Sequence, residues 1–205
     1  MYKIPYSKPL VPDRFGLDEL RAREKYIQEG MYAFVSWKWV NPLVKWINGR
    51  KCLEVMSGRG ILASALRQKR VELIATDDYS WFVKDKFKEW TNLVTDVEKI
   101  DAVEAVVKYG SSVDVLIMVW PYKDNVAYQV IKTLHEVNPD AYLVYIGQEQ
   151  EGVTADQYFY AHFKVIKDDS VFNKVARNYE SWRGAHDKLF LGKYTALLKP
   201  TSSIN

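Results

Sequence analysis

The stretch Leu53-Glu54-Val55-Met56-Ser57-Gly58-Arg59-Gly60-Ile61-Leu62-Ala63 decides how the chain is read. It continues a short apolar run, KCLEVM, and leads into ILASALRQK, whose apolar residues recur at helical spacing. A loop that closes a strand and opens a helix must turn sharply, and it lets a ligand come close to the backbone. Gly58 and Gly60 remove the Cβ atoms that would block that approach. Taken alone, the same pair is also an ordinary strand-to-helix turn.

Outward from the loop, short apolar runs alternate with amphipathic stretches. VELIATD reads as a strand, WFVKDKFKEW as a helix, NLVTD as a short strand and VEKIDAVEAVVKYG as a helix. VDVLIMVW is a fully apolar strand, NVAYQVIKTLHEVN a helix and AYLVYIG another strand. Past Gly152 the pattern loosens, with TADQYFYAHF as a helix, FKVIKDD as a strand and KLFLGKYTALL as the last strand. Strands apolar on both faces that alternate with helices predict an α/β fold, a doubly wound and mostly parallel sheet covered on both sides. Before it, residues 1–16 read as a Pro- and Tyr-rich arm. A helix begins near Asp18 and ends at Gly30; after an aromatic loop broken by Pro42, a second short helix stops at Asn48-Gly49. The expected organisation is a single domain over residues 1–205, with the arm and added helices in 1–48 and the α/β core in 49–205.

Composition sets the bounds. At 205 residues with 48% hydrophobic and 27% charged side chains, the chain is an ordinary globular sequence. A domain of this length buries about 70% of its unfolded surface and needs no covalent staple. One cysteine excludes a disulfide framework and any multi-cysteine metal site. A net charge of +3 argues for no polyanionic partner. No apolar run approaches a membrane span and the start lacks a signal-peptide core, so the expectation is a cytoplasmic protein without a membrane association.

Two ligand classes fit the glycine loop. Gly58 to Ala63 satisfies the G-x-G-x-x-G/A dinucleotide fingerprint, and the same loop suits S-adenosylmethionine. Electrostatics separates them: a carboxylate at Glu54 opposes a pyrophosphate and attracts a sulfonium and an ammonium. Further along, Asp77 and Asp78 close the second strand about 20 residues on, where an acid can accept ribose hydroxyls. Asp96 closes the expected third strand, where its carboxylate can take a hydrogen bond from an adenine amine or cap the next helix.

With these residues in place, the chain over residues 49–150 resembles the class I S-adenosylmethionine-dependent methyltransferases. The family's first motif, an acid followed by alternating glycines, is matched by Glu54, Gly58 and Gly60; Met56 stands where the first of three glycines is usual. The resemblance implies a Rossmann-like seven-stranded sheet and S-adenosylmethionine as cofactor. It implies Glu54, Met56, Ser57, Gly58, Gly60, Asp77, Asp78 and Asp96 as its binding residues. The fourth motif, Asp/Asn-Pro-Pro-Tyr in amine methyltransferases, corresponds to Trp120-Pro121-Tyr122. The polar residue is lost, so the amine mechanism is not carried over, and Trp120, Pro121 and Tyr122 are expected to flank the transfer point. A group of small methyltransferase-like proteins with a Trp-Pro-Pro-Tyr-like fourth motif is closer still, with Gly147-Gln148-Glu149, Gly152 and Thr154-Ala155-Asp156 resembling its later segments.

Other chemistry is thin. His135, His162 and His186 are dispersed and, with one cysteine, give no metal spacing, so no metal is expected. His186-Asp187 is a conceivable base pair, and Cys52 reads as a buried, inert thiol. No lysine follows the glycines as in a P-loop, and no G-x-S-x-G elbow occurs. Tyr32, Phe34 and Trp37 either line the mouth of the site or pack in the core, and Lys38 and Lys45 among them raise nucleic-acid stacking as a weaker idea. The expectation is a methyltransferase acting on a small molecule; the alternatives are an NAD-dependent oxidoreductase and a non-catalytic ligand-binding protein.

Overall fold

The computed structural model describes residues 1–8, 17–80, 92–150 and 152–196. Its strands are β1 (Cys52–Val55), β2 (Leu73–Asp77), β3 (Glu98–Lys99), β4 (Val115–Val119), β5 (Tyr142–Gly147), β6 (Phe163–Val165) and β7 (Lys188–Tyr194). The helices among the described residues are α1 (Leu17–Gln28), α2 (Trp37–Ile47), α3 (Ile61–Gln68), α4 (Ala102–Tyr109), α5 (Val126–Val137), α6 (Gln157–His162) and α7 (Ser170–Asn178). The strands form one seven-stranded sheet in the order β3-β2-β1-β4-β5-β7-β6. β7 is the strand that runs against the others, pairing antiparallel with β5 and β6. The fold is therefore a Rossmann-like α/β sheet. The chain builds outward from β1 to β3, then returns to place β4 on the other side of β1. That reversal opens a crevice at the carboxyl ends of β1 and β4, the usual ligand position in such sheets.

Alternation along the central strands explains their unbroken apolar sequence. Cys52, Ile117, Val144 and Ile146 face a core shared with α2, α3 and α7, while Leu53, Val55, Leu116, Met118 and Leu143 face one shared with α4 and α5. A strand covered on both sides cannot spare a polar position, so the expected run replaces alternation. Glu54 is the exception: it is 2% exposed on the face that α3 covers.

Several elements differ from the sequence reading. NLVTD is not a strand; the third strand is Glu98–Lys99, inside the expected helix, and α4 starts only at Ala102 with Asp101 capping it. Both residues of β3 are exposed at the sheet edge, so neither apolarity nor alternation marks them. α2 runs from Trp37 straight through Pro42. The lost hydrogen bond costs about 3 kcal/mol in a helix interior, and burial of Trp39, Val40, Leu43, Trp46 and Ile47 offsets it. Helix α7 lies where the sequence reading assigns no element; Asp169 caps it, accepting from the Val171 and Phe172 amides at 3.0 and 2.8 Å, and accepts from Trp46 Nε1 at 2.8 Å. The start of the arm does lie on the core: Ile4 is buried, and the Pro5 and Tyr6 carbonyls accept the first amides of α2. The expected helix at 81–90, the rest of the arm at 9–16 and the end of the last strand at 197–198 lie outside the described residues. No helix among the described residues is long and apolar enough to cross a membrane.

Candidate functional site

The crevice is a cavity of about 330 Å³. Its floor is the loop after β1. Met56, Gly58 and Gly60 all take left-handed backbone, with φ of 53°, 54° and 80°. Met56 thus places a side chain in a region L-residues avoid. The loop is tied at several points: Ser57 N–H donates to the Thr76 carbonyl at 3.0 Å, Ser57 Oγ to the Glu54 carbonyl at 3.1 Å, and Gly58 N–H to Asp77 Oδ2 at 2.8 Å.

The two glycines do different work. A Cβ on Gly58 would meet nothing within 4 Å, and Gly58 lines the cavity. Gly60 is not a lining residue; a Cβ there would sit 2.8 Å from Val97 Cγ2 and 2.9 Å from Thr95 Cγ2. Its role is to let α3 start close against the 95–97 segment. Gly60→Ala is expected to cost about 2–3 kcal/mol through left-handed strain and overpacking, whereas at Gly58 the strain acts alone. Denaturant melts of the two variants check this, and an equal loss in both would refute the packing role.

Glu54 is the unusual group. Its side chain lines the cavity, and its Oε2 is buried with no hydrogen-bond partner. Burial pushes its carboxyl up to about 8, against the pull of the Arg67 guanidinium, with Asp77 adding to the rise and the Ala63 amide opposing it. A carboxyl kept dry at the edge of a cavity gives up its proton when a cation arrives to pair with it. Asp77, 5% exposed, closes β2 and also accepts from the Tyr79 amide through Oδ1 at 2.7 Å. It therefore both lines the cavity and clamps the glycine loop. Asp78 is exposed beside it and lines the same cavity, with Oδ1 accepting from the Ser80 amide at 2.8 Å.

Asp96 is elsewhere. It is exposed and not part of the cavity wall, and its carbonyl accepts from Arg67 at 2.6 Å. The acid that reaches the cavity on this side is Asp101, the α4 cap, next to Ala102. The third strand lies beyond the expected NLVTD, at Glu98–Lys99, and the chain enters the cavity only after it, at Asp101. A capping signal before AVEAVV was available in the sequence and was assigned to the wrong aspartate.

The opposite wall comes from the end of β4. Trp120, Pro121 and Tyr122 all line the cavity, together with Asp124. Trp120 has φ of 49°, and its amide donates to the Ile146 carbonyl at 2.8 Å. Its Nε1 donates to Asp187 Oδ2 at 3.2 Å. Asp187 is 2% exposed and also accepts from the Tyr179 hydroxyl and from Ser181 Oγ at 2.5 Å. Burial, and the Asp187 charge beside it, hold the Tyr179 phenol well above its ordinary range, so it stays a donor. His186 points to solvent while Asp187 faces inward, so they do not form a base pair. Of the early aromatics, Tyr32 lines the cavity and stacks on Trp120 with centroids 6.1 Å apart at 23°. Phe34 is core, packed on Trp182, and Trp37 lies under Lys69 away from the cavity. The later segment shapes the rim: Val153 lines the cavity, while Thr154 bonds the Gln148 amide and the Tyr145 hydroxyl, both at 2.9 Å. Asp187 reaches Trp120 from 67 residues along the chain, a pairing that no local spacing announces.

No protein-family model and no curated protein matches the chain. Solved structures similar to it include magnesium protoporphyrin IX methyltransferase from Synechocystis PCC 6803 with bound SAM, at 12% identity over 91% of this chain and 86% of that one, TM-score 0.48. Another is the 1,6-didemethyltoxoflavin-N1-methyltransferase of Burkholderia thailandensis with its substrate and S-adenosylhomocysteine, at 14% identity over 94% of each chain, TM-score 0.46. A third is a SAM dependent methyltransferase from Archaeoglobus fulgidus, at 11% identity over 88% of this chain and all of that one (100%), TM-score 0.45. What the chain's own strand order establishes is a Rossmann-like α/β sheet with an acid-lined cavity at its switch point.

Proposed function

We propose that the protein is an S-adenosylmethionine-dependent methyltransferase acting on a small molecule in the cytoplasm. The observation that carries this reading is the Glu54 carboxylate, buried at the cavity with one oxygen unpartnered. A cationic ligand satisfies it and a pyrophosphate does not. When bound, S-adenosylmethionine supplies a methyl group on a positively charged sulfur, already activated for displacement. Glu54 then faces its ammonium or sulfonium charge, and the Met56–Gly58 turn meets its methionine end. Asp77 and Asp78 accept from the ribose hydroxyls, and Asp101 replaces Asp96 as the acceptor for the adenine amine. Trp120, Pro121 and Tyr122 wall off the opposite side, exclude water and hold the acceptor in line with the methyl. Positioning of this kind supplies most of the rate in such a displacement.

Isothermal titration with S-adenosylmethionine, S-adenosylhomocysteine and NAD in parallel tests the proposal. Binding of the two adenosyl ligands without NAD is the expected result. NAD binding alone would transfer the site to an oxidoreductase, the reading that the Gly58–Ala63 fingerprint favours. Silence from all three would reduce the loop to a turn and overturn the reading.

A further inference from the structure

Resting on the methyltransferase reading, we propose that the acceptor is a flat aromatic molecule carrying a positive charge, its ring held at the Trp120–Tyr122 wall and its charge facing Asp124.

Two independent features of the cavity converge on this. The first is the aromatic wall. Trp120 is held at three points: its amide by the Ile146 carbonyl, its Nε1 by the buried Asp187 carboxylate, and its ring by Tyr32, which lines the cavity with it. A tryptophan kept in left-handed backbone and anchored through its polar edge is a fixed, flat surface at the cavity. Tyr122, 39% exposed, is a second aromatic residue lining the cavity.

The second feature is charge. Glu54, Asp77, Asp78, Asp101 and Asp124 line the cavity. Among the described lining residues Arg59 is the cationic side chain, and its guanidinium is given to the Asn92 and Glu29 carbonyls, each at 2.8 Å. Glu54, Asp77, Asp78 and Asp101 serve the cofactor in the reading above. Asp124 lies past Tyr122, its amide on the Tyr122 carbonyl at 2.8 Å and its Oδ1 on the Val126 amide at 3.0 Å. The turn thus fixes a carboxylate next to the aromatic wall, on the acceptor's side. The buried Glu54 oxygen without a partner lines the same cavity at its cofactor end. Carboxylates around a concave, low-dielectric space focus a negative potential there, which draws in cations and repels acids and phosphates. Aromatic faces favour the same ligand through cation–π attraction.

The probes are tryptamine, indole and indole-3-acetate, which share a ring and differ in charge. The protein is first titrated with S-adenosylhomocysteine, then saturated with it, and each probe is followed by ligand-observed NMR. Tryptamine is expected to bind at least about tenfold tighter than indole-3-acetate, with indole between them. Asp124→Asn, which retains an acceptor for the Val126 amide, is expected to reduce that preference to about threefold or less. The same first titration on the variant reports that its cofactor end is still built. Equal or tighter binding of indole-3-acetate, or no binding of any probe to the saturated protein, overturns the proposal. An unchanged preference in Asp124→Asn overturns the assignment to Asp124. Failure of S-adenosylhomocysteine to bind in the first step is a separate result and overturns the methyltransferase reading itself.

Discussion

Glu54→Gln is expected to stabilise the protein strongly at pH 9, leave its stability nearly unchanged at pH 5, and weaken S-adenosylmethionine binding. Burial raises the Glu54 carboxyl from 4.5 to about 8 in the folded chain. Between those values the folded state binds a proton that the unfolded state has released, so stability falls as pH rises through that window and is lowest above about 8. The full shift corresponds to about 5 kcal/mol at most, less whatever a buried amide leaves unsatisfied. Gln cannot ionise, so the variant loses this slope. Ligand affinity moves the other way: binding a cation favours the ionised carboxylate, so wild-type affinity rises from pH 6 to pH 8. The variant binds about 10- to 100-fold more weakly with a flat pH profile. Denaturant melts at the two pH values and titrations across the range measure both effects. The same stability change at pH 5 and pH 9 would remove the buried charge from the account.

Asp77→Ala is expected to lower S-adenosylhomocysteine affinity by about 100-fold or more and to cost about 1–3 kcal/mol of stability. The carboxylate is bound to the Gly58 amide at 2.8 Å and the Tyr79 amide at 2.7 Å, so its removal frees the glycine loop as well as the ribose contact. A variant that changed only the ribose contact would leave the melt unmoved. Asp78→Ala is the comparison: Asp78 is exposed and holds the Ser80 amide, so its melt should stay within about 0.5 kcal/mol of wild type. Unchanged affinity in Asp77→Ala would sink the ribose assignment.

The parts of this protein that could be read from sequence are those governed by neighbours along the chain. The strands at 52–55, 115–119 and 142–147 are apolar on both faces because both faces are covered, and that is written in their composition. The glycine loop is legible because left-handed backbone between a strand and a helix selects glycine at Gly58 and Gly60, and Asp77 because it ends a strand whose limits are clear. Where the signal was weak, the reading slipped. β3 is two exposed residues at the sheet edge, so the sequence points to Asp96 there, while the aspartate that lines the cavity on this side is Asp101.

Tertiary structure alone decided the rest. Local spacing places Glu54 on a strand, but whether it is solvated or dry depends on α3 covering it, and that packing sets its proton affinity. Trp120 reads as the end of an apolar strand; its partners Asp187 and Tyr32 come from sequence separations that no periodicity spans. Backbone geometry is a local property, repeated every few residues and visible in order. The charge and shape of a cavity are set where distant segments meet, and only the folded chain brings them together.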